Sequence, residues 1–238
     1  MQHRRWPSRV WTVRHGESSA NIALRDAIAS GLDQVRVIGR DADVPLSAVG
    51  EEQARAAGRW FRTLSLTSRP ERVLCSPFRR TRRTAELIVA EANLDVHIQS
   101  DERLREKDLG SLEKLTRQGL QHRDPMQSDL HRELGKFYYR PPGGESWCDV
   151  IGRLRNLLYQ FVLHEDDRPV LFVCHQAVIT CMRLIFEHLD EERVLQIDRE
   201  DAASNCAISE YAVADDGGRP RMRLVHWNLD PTSDVGKA

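Results

Sequence analysis

The chain has 238 residues, 40% hydrophobic and 30% charged, a balance that suits a soluble protein able to bury its own core. A formal net charge of −1 supplies no basic field, which speaks against general nucleic-acid binding. No apolar run of about 18 residues occurs, so neither a membrane span nor a membrane partner is expected.

The N-terminal "MQHRRWPSRV" lacks the apolar stretch of a signal peptide. The five cysteines (Cys75, Cys148, Cys174, Cys181, Cys206) are odd in number and form no C-x-x-C pair. That usage predicts free thiols and a reducing, cytoplasmic setting.

In chain order, "RVWTV" (9–13) is β-branched and apolar and predicts a strand, with a helical stretch after "RHGES". Over 47–64, Val49, Ala54, Ala57, Trp60, Phe61 and Leu64 fall near one helical stripe behind Ser47 as N-cap. "RVLCS" (72–76) predicts a strand leading into a helix over 76–92, with Ser76 as its N-cap and Pro77 as its first residue. "LDVHI" (94–98) predicts the next strand. The polar segment from about 107 to 140 has no strand signal and predicts a cap insertion lying over the sheet. A helix over 147–163, a strand over 169–174, a helix over 177–189 and strands over 206–213 and 222–229 follow. The last two strands join through "ADDGGRP", which has hairpin composition, and "DPTSDVGKA" (230–238) predicts a loose tail. This alternation predicts an α/β fold, one domain over 1–238, whose mostly parallel sheet is covered on both faces.

In such a sheet, ligands bind beyond the carboxyl ends of the strands, beside helix N-termini. Arg14-His15-Gly16 leaves one strand, His175-Gln176 another, and Ser76-Pro77 a third, with Arg79 and Arg80 close behind. Glu102 and Glu106 follow the 94–98 strand. Arginines offer planar donors to a phosphate dianion. A neutral imidazole can attack phosphorus without losing a proton, and a second histidine can donate to the oxygens that carry charge during transfer. A carboxylic acid of raised pKa would protonate the leaving oxygen and then activate water, worth about 10²–10⁴ in rate. The chemistry calls for no cofactor and no metal, and no H-E-x-x-H spacing is present.

These residues stand in "RHGESSAN", "PLSAVGEEQA", "SPFRRTRRTA", "LREKDLG", "GGES" and "VCHQAVI", in that order. The set resembles the histidine phosphatase superfamily, the phosphoglycerate-mutase-like enzymes, over roughly 9–213. The resemblance implies a three-layer α/β/α sandwich with a cap and a phosphorylated small-molecule substrate. It makes His15 the nucleophile that becomes phosphohistidine, with Arg14, Arg80 and His175 holding the phosphoryl group. It selects Arg80 over Arg79, and Glu106 over Glu102 as the acid, and adds Asn21 as a further contact; Gln176, where many relatives have glycine, is expected to bind substrate as well. "VCHQAV" is similar to the bisphosphatase half of the bifunctional fructose-2,6-bisphosphate enzymes. Lys107-Asp108-Leu109 departs from the E-R-H-Y-G of cofactor-dependent mutases, which favours hydrolysis over mutase-type transfer. A non-catalytic phospholigand module is the alternative from another class. Gly16 is expected to let backbone approach the phosphate, and Arg140 to meet a second anionic group of the substrate. Self-association is left open.

Overall fold

The computed structural model describes residues 6–164, 166–217 and 219–233. Its strands are β1 Arg9–Arg14, β2 Arg72–Cys75, β3 Ile98–Ser100, β4 Val170–Cys174, β5 Ile208–Asp216 and β6 Arg219–Leu229. They form one sheet in the order β3-β2-β4-β1-β5-β6. The strands from β3 to β1 run parallel, whereas β5 lies antiparallel to both β1 and β6. The expected mostly parallel sheet is thus present, with an antiparallel hairpin at one edge.

Side chains alternate across each strand, so a sheet covered on both faces needs apolar residues at every position. One face buries Val10, Leu74, Val170 and Phe172 against α6 (Trp147–Leu163) and α7 (Gln176–Glu187). The other buries Trp11, Val13, Val73, Leu171 and Val173 against α2 (Ala48–Thr63) and α3 (Arg79–Ala92). α1 (Ser19–Ala29) follows β1, and α8 (Glu191–Glu200) follows α7. No described helix is long and apolar enough to cross a membrane.

Register positions the chemistry. Arg14 pairs with Cys174 and Cys75 with Val173, so three adjacent parallel strands end at one level. Beyond them, His15 N donates to Cys174 O and Ser76 N to Val173 O, each at 3.0 Å. His15, Ser76 and His175 therefore leave the same sheet edge side by side.

The cap segment holds α4 (Arg117–Arg123) and α5 (Pro125–Tyr138), the latter kinked at Gly135 where φ is 72°. It meets a second stretch that the sequence did not mark. Val35 N donates to Lys114 O at 2.8 Å and Thr116 N to Asp33 O at 3.0 Å, joining the 31–47 loop to the cap.

Several boundaries move. The strand expected over 94–98 occupies Ile98–Ser100, because β3 is an edge strand and its only neighbour, β2, offers partners from Val73 to Cys75. Ser76 and Pro77 lie before α3, which starts at Arg79 behind an N-cap, Phe78, that makes no side-chain bond. α8 carries a charged exterior around buried Val194 and Ile197, too short an apolar signal to mark a helix. Val49, expected on the α2 stripe, is 57% exposed, whereas Ala54, Ala57 and Phe61 of that stripe are buried as expected, joined by Gly50. Of the expected tail, Asp230–Ser233 is a turn and 234–238 lies outside the described residues.

Candidate active site

His15 is 3% exposed at the end of β1. Its Nδ1 sits 2.8 Å from Gly16 O, an acceptor only, so Nδ1 carries the proton and Nε2 keeps its lone pair. Arg80 Nε lies 3.3 Å from that Nε2 and donates to it. Burial, then the charges of Arg80 and Arg14, hold the imidazole pKa well below its ordinary value, so the ring is neutral. The ring is oriented and neutral, with Nε2 unprotonated. Asn205 Nδ2 bonds His15 O at 2.8 Å and fixes the backbone beneath it.

His175 is fully buried, with its ring centroid 5.2 Å from that of His15. Ser76 Oγ lies 2.8 Å from His175 Nε2 and also accepts from Phe78 N at 3.3 Å. The serine hydroxyl can donate to Nε2 while accepting from Phe78 N, and in that tautomer Nδ1 carries the ring proton. Nδ1 lies 3.8 Å from Glu106 Oε2. Burial, then the neighbouring His15 and arginines, lower this imidazole's pKa too.

Arg14 donates through NH1 to Ala203 O at 2.8 Å. Arg14 Nε and His175 Nδ1 are buried without a hydrogen-bond partner among the described residues. Buried donors left unpaired are costly, and an anion at this edge would satisfy both.

Glu106 stands on the loop after β3, where Lys107 N donates to Oε1 at 2.9 Å. Burial raises its carboxyl pKa; the Lys107 N–H, Arg80 and Arg14 oppose the rise without cancelling it. The Glu145 of "GGES" holds this loop. It accepts from Asp108 N at 3.1 Å, and Arg153 braces it through Nε at 3.0 Å. Glu145 N donates to Asp108 O at 2.9 Å, completing the tie.

Arg14, His15, Asn21, Arg80 and Glu106 line one cavity of about 420 Å³, with Val35, Val37, Lys107, Leu109 and Lys114 on its outer wall. Asn21 reaches it while its Oδ1 accepts from Ser18 N at 3.0 Å, closing the α1 capping box. Three expected contacts are not part of the cavity lining: His175, fully buried behind His15, and Arg140 and Gln176, which turn elsewhere. Arg140 is 62% exposed at its side chain and pairs with Asp149 at 2.8 Å, outside the cavity lining. Gln176 turns to Asp198 Oδ1 at 3.3 Å and does not line the cavity either. Gly16 has a packing role. A Cβ there would lie 2.3 Å from Gly50 O, so the glycine also admits α2 to the end of β1. Gly16→Ala is expected to cost about 1–3 kcal/mol in urea unfolding, as overpacked sites do.

Phe78 and Asp41 are marked by no reading of the sequence, and Ser76, placed at the ligand edge and read as a helix cap, has no partner assigned to it. Glu17, two residues after the histidine, is structural: it accepts from Ser47 Oγ at 2.9 Å and pairs with Arg25 at 3.1 Å.

The family model for the histidine phosphatase superfamily (branch 1) matches residues 10–229. A probable phosphoglycerate mutase of Salmonella choleraesuis is 34% identical over 231 residues, 95% of this chain and 93% of that protein. The 6-phosphofructo-2-kinase/fructose-2,6-bisphosphatase of Gallus gallus is 33% identical over 180 residues, 76% of this chain. The aligned part is 33% of that protein, so the chain spans about a third of such bifunctional relatives. Among solved structures, mycobacterial hydrolase 1 superposes with a TM-score of 0.73 at 26% identity, over 94% of this chain and 99% of that one. Mycobacterial glucosyl-3-phosphoglycerate phosphatase with VO3 gives a TM-score of 0.68 at 26% identity, over 93% and 99%.

Proposed function

The chain belongs to the histidine phosphatase superfamily, and from that premise we propose that it hydrolyses the phosphomonoester of a small phosphorylated metabolite. The observation that carries the reading is His15: neutral, with Nδ1–H spent on Gly16 O and Nε2 turned to Arg80. In the first step Nε2 attacks phosphorus, the bond to the ester oxygen breaks, and Glu106 gives that oxygen its proton. Arg14, Arg80 and His175 Nδ1–H hold the equatorial oxygens as charge shifts across them. In the second step the Glu106 carboxylate takes a proton from water as the water attacks. The P–N bond breaks, inorganic phosphate leaves, and His15 and Glu106 return to their starting states.

The cavity of about 420 Å³, lined by apolar Val35, Val37 and Leu109 and basic Lys107 and Lys114, supports a small anionic substrate. Cysteine usage supports a reducing, cytoplasmic setting. All five thiols are free, and burial pushes those of Cys75, Cys174 and Cys206 above their ordinary pKa. We read residues 9–229 as one catalytic unit, the hairpin being the edge of its sheet.

Phosphate release across a panel of phosphometabolites, with His15→Ala as blank, tests the proposal. Release from at least one ester, absent in the blank, is the expected result. The 34% identity to a probable phosphoglycerate mutase sustains one competing reading, phosphotransfer back to the substrate. Incubation with 3-phosphoglycerate separates the two: free phosphate is expected, and dominant 2-phosphoglycerate would establish the mutase.

A further inference from the structure

Arg80 is held by a residue outside the strand-end set. An arginine carries five N–H donors in one rigid plane, and each one left unpaired in a buried site is costly. The Arg80 side chain is 5% exposed. Its NH1 donates to Asp41 O at 2.6 Å and to Asp41 Oδ1 at 3.1 Å, and its NH2 donates to Asp41 Oδ2 at 2.9 Å. Nε donates to His15 Nε2 at 3.3 Å. Four of the five donors are thereby assigned, and the fifth is the second N–H of NH2. It lies on the same edge as Nε, the edge turned toward the nucleophile.

We propose that Asp41 is a positioning residue of the phosphoryl site: it takes the outer fork of Arg80 and so presents the Nε edge to His15. The proposal rests on the phosphatase reading above. A guanidinium on a long stem swings about several bonds, and the phosphoryl oxygens need donors fixed before the transition state forms. Asp41 removes that freedom. Phe78 restrains it further, with the guanidinium carbon 5.0 Å from its ring centre. Asp41 is itself anchored in the short turn Asp41–Asp43, which the roof of the cavity supports through Lys114 Nζ to Gly39 O at 2.8 Å. The pair also limits the charge crowded at the edge, since an uncompensated buried arginine would be expensive.

Asp41 adds a second effect that a plain structural ion pair would lack. Its charge helps to raise the Glu106 carboxyl pKa, whereas Arg80, Arg14 and the Lys107 N–H act the other way. His175 Nδ1 faces the same carboxyl at 3.8 Å, and Arg153 NH2 reaches its main-chain oxygen at 3.4 Å. None of these groups is itself replaced in Asp41→Asn.

The test compares wild type with Asp41→Ala, Asp41→Asn and Asp41→Glu on p-nitrophenyl phosphate and on the best ester of the panel. Asp41→Ala is expected to lower kcat/KM about 10²-fold, mostly through kcat, as a misplaced catalytic group does. Asp41→Glu should restore part of that loss. In Asp41→Asn the alkaline limb of the pH profile should move to lower pH, because a charge that raises the Glu106 pKa is gone. Three results overturn the proposal: an Asp41→Ala protein that melts like wild type with unchanged kcat/KM, one with raised kcat/KM, which would make Asp41 a competitor for the fork, or an unmoved limb in Asp41→Asn. Should Asp41→Ala fail to fold, kcat/KM of Asp41→Asn decides: a fall supports the positioning role and an unchanged value overturns it. A wild-type protein inactive on every ester sinks the phosphatase reading instead, and is told apart by its own arm.

Discussion

Replacing His15 with alanine should remove phosphate release altogether, a loss of about 10⁴-fold or more in kcat, as deletion of a nucleophile does elsewhere. The reason lies in the division of labour at the sheet edge. Arg14, Arg80 and His175 can still bind a phosphoryl group in the variant, but no atom remains to accept it. Substrate affinity should therefore survive while turnover does not. A radiolabelled phosphoester quenched in base should leave acid-labile label on the wild type and none on His15→Ala. The variant leaves Gly16 O without the Nδ1–H donor it has at 2.8 Å, which costs stability of about 1–3 kcal/mol. A melting curve separates that cost from the loss of chemistry. Turnover within tenfold of wild type, or label elsewhere on the chain, would overturn the phosphohistidine mechanism.

The strand-end residues were legible because sheet topology converts them into neighbours. Once β1, β2 and β4 are parallel and in register, the residues after Arg14, Cys75 and Cys174 must converge. Long buried elements were legible for the same reason that they are stable: α6 spans Trp147–Leu163, the whole predicted range, on a continuous apolar stripe. What escaped was decided by tertiary partners that leave no periodic trace. Ser76 before Pro77 has the composition of a helix start, yet His175 claims its hydroxyl at 2.8 Å. Arg140 stands beside "GGES" in sequence, yet Asp149, nine residues on, binds it away from the cavity. Asp41 sits in "GRDADVPLS", where neither spacing nor hydropathy distinguishes it from Asp43, which pairs with exposed Arg40 instead. Loops that pin functional arginines are written in three dimensions only.

Glu106→Gln should separate the two chemical steps. The variant keeps an oxygen for the Lys107 N–H, 2.9 Å away in the wild type, but has no proton to give. For an ester with a poor leaving group, kcat/KM should fall by about 10²–10⁴. For p-nitrophenyl phosphate, whose leaving oxygen departs unaided, the first step should be nearly spared. The second step still lacks a base for water, so phosphohistidine should accumulate. The pH dependence follows from the direction of the shifts. Glu106 acts as an acid only while protonated, and burial raises its pKa, so activity falls as pH rises through that raised value. His15 is held well below its ordinary pKa and contributes no acidic limb in the usual histidine range. The profile of the wild type should thus fall on its alkaline side, and that limb should vanish in Glu106→Gln. Stability should run the opposite way. Below the ordinary carboxyl pKa, both folded and unfolded chains carry the proton and Glu106 costs nothing. As pH climbs past it, the unfolded chain ionises freely while the folded one resists, so the wild type loses stability up to the raised pKa. Glu106→Gln escapes that penalty and should melt higher than wild type at neutral pH and equally in acid. An alkaline limb that persists in the variant would assign the proton to another group.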